Sequence, residues 1–259
     1  MVSSVPEWRL PRGVSRGMWD YARTDHIAND YDEYFAYNQL FAFDESVLLD
    51  EFRHPGAIVD LGCGTGRLLV AFARRGFRGV AVDLSHPMLQ IVGKKADSES
   101  LPIDRVQANL VDLDCLADAS CDYCVIMFNT LGMIRGLDNR LRVLRHARRI
   151  LRPGGRFALH VHNRWQNLFD PQGRWWLLGS LLGRGRSRGL EPGDKVFEYR
   201  GIPNVQLHLF SLGEMRRLLR RSGFRIARVI PLDAERQRPL ARPWALGRIR
   251  ANGWIVIAD

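Results

Sequence analysis

Short apolar runs alternate with segments of helical periodicity along most of the chain. The runs at 57–59 (AIV) and 79–83 (GVAVD) have the length and apolar character of buried strands, and the apolar segment 68–72 between them suits a helix that packs on a sheet. A strand, a helix and a second strand at this spacing predict a right-handed βαβ unit with parallel strands. The sheet is therefore expected to begin near residue 57.

The same alternation continues toward the C-terminus. A helix is predicted after Ser85, which can cap it, and others at 137–151 and 214–222. The last of these begins with Ser211-Leu-Gly-Glu214, the pattern of a capping box. Further strands are predicted at 105–108, 123–128, 157–161, 225–230 and 253–258, and the acidic, aromatic segment 25–52 is predicted to form one or two helices.

The first predicted strand leads directly into a glycine turn. Asp60, Gly62, Gly64 and Gly66 form the pattern D-x-G-x-G-x-G. Glycines permit positive φ and a close ligand approach, and the following helix directs backbone N–H groups toward the turn. The dinucleotide fingerprint GxGxxG/A does not fit, because its third small residue falls on Arg67.

A carboxylate ends the second predicted strand. Asp83 can accept hydrogen bonds from both ribose hydroxyls of an adenosine, as the acidic residue of dinucleotide-binding folds does. Capping of the next helix is the structural alternative, but Ser85 is available for that purpose. Asp83 is therefore assigned to a ligand.

These motifs resemble, in order, those of class I S-adenosylmethionine (SAM)-dependent methyltransferases. The resemblance rests on DLGCGTG at 60–66, VAVDLSHPMLQIVGKKA at 80–96 and LRPGGRF at 151–157, and it covers residues 25–162 and 210–259. It implies an α/β fold with a seven-stranded, mostly parallel Rossmann-like sheet, helices on both faces and antiparallel final strands. It also implies SAM as the cofactor and methyl transfer as the activity.

The resemblance also divides the chain. We expect a single methyltransferase domain over 1–259, with a helical N-terminal cap at 1–54, a SAM-binding core at 55–162, an insertion after the fifth strand at 163–209 and the remaining helix and strands at 210–259. The insertion carries tryptophans and arginines and is interpreted as a lid or a wall of the substrate pocket. An RNA-contacting loop and an interfacial membrane contact are the alternatives.

The roles of individual cofactor residues follow from the resemblance. The glycines of the turn would contact the amino-acid end of SAM, with Asp60 nearby, Asp83 would hold the ribose, and Asn109 and Leu110 the adenine. Asn109 is a departure, because the family usually has an aspartate there. The complete set of expected cofactor contacts is Asp60, Gly62, Cys63, Gly64, Gly66, Asp83, Leu84, Asn109, Leu110 and Phe128.

The acceptor side is less defined by sequence. In the resembling family the loop that begins at Asn129 faces the transferring methyl group, so Asn129 is a catalytic candidate. His162, at the end of the fifth strand, is the candidate general base, with His160 on the same strand face and His208 behind it; a buried, hydrogen-bonded histidine is the alternative. One of the tyrosines at 31, 34 and 37 is a candidate cover for the sulfonium, with simple packing as the alternative.

Charge and composition leave the acceptor open. The net charge of +10 favours RNA, but only three of 38 basic residues are lysine, which suggests a GC-biased genome. We expect a small-molecule acceptor. The first alternative is an RNA acceptor, because HLFSLGEM at 208–215 is similar to a segment of tRNA wobble-uridine carboxymethyl methyltransferases. The paired-histidine loop of that family is absent, however, and so is the D/N-P-P-Y/F motif of exocyclic-amine methyltransferases. The second is a non-catalytic, SAM-binding regulatory protein.

Cysteine usage and the termini suggest the compartment. Cys121 and Cys124 have C-x-x-C spacing, but no second pair or histidine cluster completes a zinc site, so no metal is expected. Reduced structural thiols, no apolar leader and no apolar stretch of transmembrane length together favour a cytoplasmic location.

Overall fold

The computed structural model describes residues 5–36, 40–183 and 189–259. Its helices are α1 (Arg16–Ala22), α2 (Asp25–Ala36), α3 (Leu40–Glu51), α4 (Arg67–Ala73), α5 (His86–Glu99), α6 (Leu137–Ile150), α7 (Pro171–Leu181), α8 (Leu212–Arg221) and α9 (Gly247–Arg250). Its strands are β1 (Ala57–Leu61), β2 (Arg78–Asp83), β3 (Ile103–Gln107), β4 (Cys121–Ile126), β5 (Leu151–His162), β6 (Asp194–Tyr199), β7 (Ile202–His208), β8 (Ile226–Pro231) and β9 (Gly253–Ala258).

Seven strands form one sheet in the order β3-β2-β1-β4-β5-β9-β8. The pairs β1–β2, β2–β3, β1–β4 and β4–β5 are parallel, whereas β9 is antiparallel to both β5 and β8. The predicted seven-stranded, mostly parallel sheet is thus confirmed. The strand order reverses between β1 and β4, and in open α/β sheets ligands bind outside the carboxyl ends of the strands at such a point.

Helices cover both faces of the sheet. On one face, α6 and α8 pack against residues such as Phe157 and Trp254. On the other, α3, α4 and α5 pack against residues such as Ile58 and Ile255. All six residues of β9 are buried, because this strand lies between β5 and β8 with helices on both sides.

The predicted helix starts are confirmed by their hydrogen bonds. The Ser85 hydroxyl accepts the N–H of Met88 at the start of α5. At α8, Ser211 accepts the N–H of Glu214 and the Glu214 carboxylate accepts the N–H of Ser211, so both halves of the capping box are formed. Each such cap satisfies N–H groups that otherwise have no partner within the helix.

The insertion forms structure that the sequence analysis did not predict. It contains α7 and an antiparallel hairpin of β6 and β7, joined by a two-residue turn at Arg200 and Gly201. Both turn residues have positive φ, as the right-handed twist of a two-residue hairpin favours. The hairpin packs on α1, where a Cβ on Gly17 would lie 2.4 Å from the Asn204 carbonyl oxygen.

Among the described residues, none of the helices combines the length and apolarity that crossing a lipid bilayer requires.

Candidate functional site

A cavity opens where β1, β2 and β4 end. It encloses an empty volume of about 1060 Å³, which includes its open mouth. Its floor comes from the loops after these strands, and its roof comes from the N-terminal lead, α1 and α2. Of the expected cofactor contacts, those that line it are Asp60, Gly62, Cys63, Gly64, Asp83, Leu84, Asn109, Leu110 and Phe128. Gly66 does not line it.

The three glycines of the turn all have positive φ, and the absence of a Cβ leaves room for a different neighbour at each of them. A Cβ on Gly62 would lie 2.2 Å from Thr130 Cγ2, and one on Gly66 would lie 2.9 Å from Val92 Cγ2. Next to Gly64, in contrast, the nearest atom would be Cε1 of Tyr31 at 3.8 Å. Gly62 therefore admits the loop after β4, Gly66 admits α5, and Gly64 leaves the turn open toward the cavity.

Asp60 presents a buried carboxylate oxygen to this space. The side chain is 4% exposed, and its Oδ1 has no hydrogen-bond partner within the described residues. Burial, together with the nearby Asp83, raises the pKa of Asp60 to about 8. A buried acceptor without a partner is unfavourable, so a cationic donor in the cavity would stabilise the ionised form.

Asp83 lies beside Asp60 and already accepts two backbone hydrogen bonds. Its Oδ2 accepts the N–H of Gly64 at 2.9 Å, and its Oδ1 accepts the N–H of Ser85 at 2.8 Å. Burial raises the pKa of Asp83 in spite of these bonds. Each carboxylate oxygen can accept a second hydrogen bond, so the residue ties the glycine turn to the end of β2 and can still bind hydroxyl groups.

Asn109 lines the cavity, but its side chain is engaged elsewhere. Its Nδ2 donates to the Arg12 carbonyl oxygen at 2.9 Å, and its Oδ1 accepts the N–H of Val111 at 3.2 Å. The residue thereby holds the N-terminal lead over the cavity. That lead contributes Gly13 and Val14 to the lining, which the sequence analysis missed because the segment lacks periodicity.

The acidic helix α2 is tied to the glycine turn by polar contacts. Asp32 accepts the Thr65 hydroxyl at 2.6 Å and pairs with Lys95 at 2.5 Å, and Lys95 also donates to the Thr65 carbonyl oxygen. This arrangement places Tyr31 in the cavity wall. Tyr34 does not line the cavity, and its ring lies under the Arg200 guanidinium. The third candidate tyrosine, at position 37, lies outside the described residues.

Asn129, the first catalytic candidate, is completely buried and does not line the cavity. Its Nδ2 donates to the His208 carbonyl oxygen at 3.2 Å, and its Oδ1 accepts the N–H of His162 at 3.1 Å. Its φ of 62° is in the left-handed region, as is that of Phe128, so the strand predicted at 123–128 ends at Ile126. The bonds of Asn129 join β4, β5 and β7 and hold this turn.

His162, the candidate base, also lies outside the cavity lining. Its Nε2 accepts a hydrogen bond of 2.6 Å from the Arg236 guanidinium. Burial lowers the pKa of His162 well below its usual value, and the nearby Arg236 and His160 lower it further. The ring is therefore neutral near pH 7 with the Nε2 lone pair occupied.

His160 has a different environment on the same strand face. Its Nδ1 lies 2.5 Å from Asp44 Oδ2 on α3, while its buried Nε2 has no partner among the described residues. The rings of His160 and His162 are roughly perpendicular to the ring of Phe128, with ring centroids 6.1 and 5.9 Å from the Phe128 centroid. The Arg236 guanidinium lies 5.5 Å from the centroid of the same Phe128 ring. This group borders the cavity through Phe128.

His208 belongs to a separate buried network in the insertion. Its Nδ1 lies 2.7 Å from Asp194 Oδ1, and its Nε2 lies 2.9 Å from Glu214 Oε1. Arg140 and Arg164 pair with Glu191 and Glu214 in turn. Although one ligand atom each of Glu191, Asp194 and His208 lie within 4.8 Å of one another, bonds within the protein engage these groups. The network therefore fastens the β6–β7 hairpin to α6 and α8.

The residues in the cavity fit SAM. Asp60 offers an unpartnered carboxylate oxygen for an ammonium group, the turn at Gly64 leaves room for the ligand, and Asp83 retains acceptor capacity for ribose hydroxyls. Together with the strand order, these features resemble those of class I SAM-dependent methyltransferases, whose cofactor is SAM.

The sequence is also similar to known methyltransferases. Residues 58–155 match the sequence model of the family described as a methyltransferase domain. Over 140 residues the chain is 29% identical to the putative methyltransferase YqeM of Bacillus subtilis, covering 53% of this chain and 54% of the relative. Over 98 residues it is 35% identical to the cypemycin N-terminal methyltransferase of a Streptomyces species, covering 38% of each.

Solved structures share the fold across nearly the whole chain. The 1,6-didemethyltoxoflavin-N1-methyltransferase of Burkholderia thailandensis aligns with a TM-score of 0.62 and 18% identity, covering 96% of this chain and 91% of that one. The sequence matches to curated relatives are shorter: the chain spans about half the length of the first of them, or less in the others named here.

Proposed function

We propose that the protein transfers a methyl group from SAM to a small-molecule acceptor. The observation that carries this proposal is the roof over the cavity, where Gly13, Val14, Met18, Tyr21 and Tyr31 close over the ends of the strands. An acceptor has to fit beneath this roof to approach the methyl group. A compact molecule meets that condition more readily than a folded RNA.

The distribution of arginines supports the same choice. Three arginines of α6, and Arg152 just after its end, form ion pairs with carboxylates. The pairs are Arg140 with Glu191, Arg142 with Asp112, Arg149 with Asp118 and Arg152 with Asp122. Paired guanidinium groups have a weaker field toward phosphates than free ones. Much of the positive charge near this helix therefore serves the fold. The structure of the Burkholderia relative holds 1,6-didemethyltoxoflavin, a small molecule, with S-adenosylhomocysteine.

The chain supplies binding and alignment. Asp60 would pair with the ammonium group of SAM, Asp83 would accept from its ribose, and Leu110 would pack against its adenine. When bound, SAM provides an activated methyl group on a sulfonium. Orientation of the acceptor toward that group can contribute several kcal/mol.

Two measurements test the proposal. Calorimetry should show binding of SAM and S-adenosylhomocysteine but not of NAD, and Asp83→Asn should weaken SAM binding by about 1–3 kcal/mol, while Asp104→Asn, at an exposed position of β3, should not. Incubation with methyl-labelled SAM should then label a metabolite fraction. Label only in RNA, with tRNA binding that weakens steeply as salt is added, would favour the RNA alternative. No label in either fraction despite SAM binding would favour the regulatory one.

A further inference from the structure

Three buried polar atoms without partners cluster behind Phe128. They are Asp44 Oδ1, His160 Nε2 and Arg236 Nε, and each lacks a hydrogen-bond partner among the described residues. Buried polar groups are almost always paired, so a cluster of such atoms is suited to bind a polar ligand group. Asp60 Oδ1, at the cofactor position, shows the same condition.

The orientation of His160 is fixed by Asp44. The 2.5 Å contact between Asp44 Oδ2 and His160 Nδ1 selects the tautomer in which Nδ1 carries the proton and Nε2 has a free lone pair. Both side chains are buried, so this contact is shielded from water. A carboxylate, an imidazole and an open Nε2 form an arrangement that can accept a proton from a substrate.

Arg236 contributes a cation at the same place. Its guanidinium donates to His162 Nε2 and lies over Phe128, and no carboxylate of the described residues forms an ion pair with it. The titratable and charged groups facing His160 are thus Asp44 from α3, the neutral His162 on its own strand and Arg236 from the loop after β8. An arginine with donors to spare suits an oxygen that becomes negative.

We infer that Asp44, His160, His162 and Arg236, which border the cavity through Phe128, contact the reacting oxygen of the acceptor, and that the acceptor is an acidic hydroxyl compound, a phenol or an enol. This inference rests on the proposed function. His160 Nε2 takes the hydroxyl proton while a lone pair of the oxygen forms the bond to the methyl carbon. The bond from that carbon to sulfur breaks, and its electrons remain on the sulfur. Arg236 stabilises the oxygen as it loses its proton, and Asp44 positions His160.

Phenols that stay protonated near neutral pH, 4-methylphenol among them, are the probes, with thiophenol as a comparison because it ionises without a strong base. The wild-type protein should methylate phenols with a rate that rises with pH along one ionisation. His160→Gln should lower kcat/KM for phenols about 100-fold or more and remove this rise, while methylation of thiophenol changes by less than tenfold. Asp44→Asn should reduce the phenol rate and shift the same pH profile. His26→Gln, at an exposed position of α2, is the matched control.

Variants are compared only after calorimetry shows unchanged SAM binding, which separates a lost base from a lost fold. Should His160→Gln not fold, Arg236→Gln at a partly exposed position should raise KM for phenols, with the largest effect on the most acidic ones. Equal losses for phenol and thiophenol, or phenol rates unaffected by both substitutions, would overturn the inference. Methylation of amines or carboxylates with none of phenols would overturn it as well and leave the proposed function intact. Absence of SAM binding would instead defeat the proposed function.

Discussion

The unpartnered carboxylate of Asp60 makes a prediction about stability as well as binding. Its pKa is raised from 3.8 to about 8, so between these values the folded protein retains a proton that the unfolded chain has lost. The contribution of Asp60 to the free energy of unfolding should therefore fall as pH rises from about 4 to about 8 and then level off. One pKa unit corresponds to about 1.4 kcal/mol, so burial of Asp60 costs up to about 4 kcal/mol at pH 7.

Asp60→Asn removes this ionisation while it keeps the shape of the side chain. Because the new amide group also needs partners, we expect a net stabilisation on the order of 1–3 kcal/mol at pH 8. The gain should vanish near pH 4. Urea unfolding of the ligand-free protein at several pH values measures it, with Asp104→Asn as the control. A difference between wild type and Asp60→Asn that does not change with pH would refute the reasoning.

Asp60 should also couple SAM binding to proton release. At pH 7 the carboxyl group of Asp60 is mostly protonated, and an ammonium group beside it would favour the ionised form. Calorimetry in buffers of different ionisation enthalpy should therefore detect release of close to one proton. Asp60→Asn should abolish this release and weaken binding. Equal proton release by both proteins would mean that another group is titrating.

Other predictions concern the elements that shape the site. Gly62→Ala should destabilise the fold by about 1–3 kcal/mol, because its Cβ would meet a methyl group 2.2 Å away, and Thr130→Ser, which removes that methyl, should restore part of the loss in urea unfolding. His208→Ala should lower the free energy of unfolding by about 3 kcal/mol or more at pH 7, because it removes the partner of two carboxylates. The loss should be smaller below about pH 4, since the pKa values of Asp194 and Glu214 are lowered and their stabilisation disappears when they take up protons. A urea unfolding curve that matches wild type at pH 7 would contradict this. Ser211→Ala should lower stability by about 1 kcal/mol through loss of the capping box, whereas Ser98→Ala at an exposed position of α5 should not, and equal effects would argue against the cap.

Local sequence determined the side of the cavity that contains the glycine turn. The position of Asp60, the alternating glycines and the carboxylate at the end of the second strand are all set by short-range pattern, because parallel strands bring their carboxyl ends to one edge of the sheet. For this reason Asp60, Gly64 and Asp83 were predicted and found together in the cavity wall. The glycine pattern alone did not show which glycines line the cavity, since Gly66 instead leaves room for the packing of α5.

Long-range contacts determined the rest. Asn129 and His162 follow β4 and end β5, as the sequence suggested, but whether such side chains face a ligand depends on partners far away in the chain. Asn129 is held by β5 and β7, and His162 by Arg236, so neither lines the cavity. Asp44 and His160 meet across more than a hundred residues of sequence.

Sequence by itself thus determined the sheet, the helix caps and the glycine turn between two aspartates, because each depends on periodicity or on residues a few positions apart. Tertiary structure alone decided which polar groups are left without partners and how the N-terminal lead, α1 and α2 form the roof. The physical reason is that a local pattern specifies which way a backbone turns, whereas the pairing of a buried side chain depends on what the whole fold brings beside it.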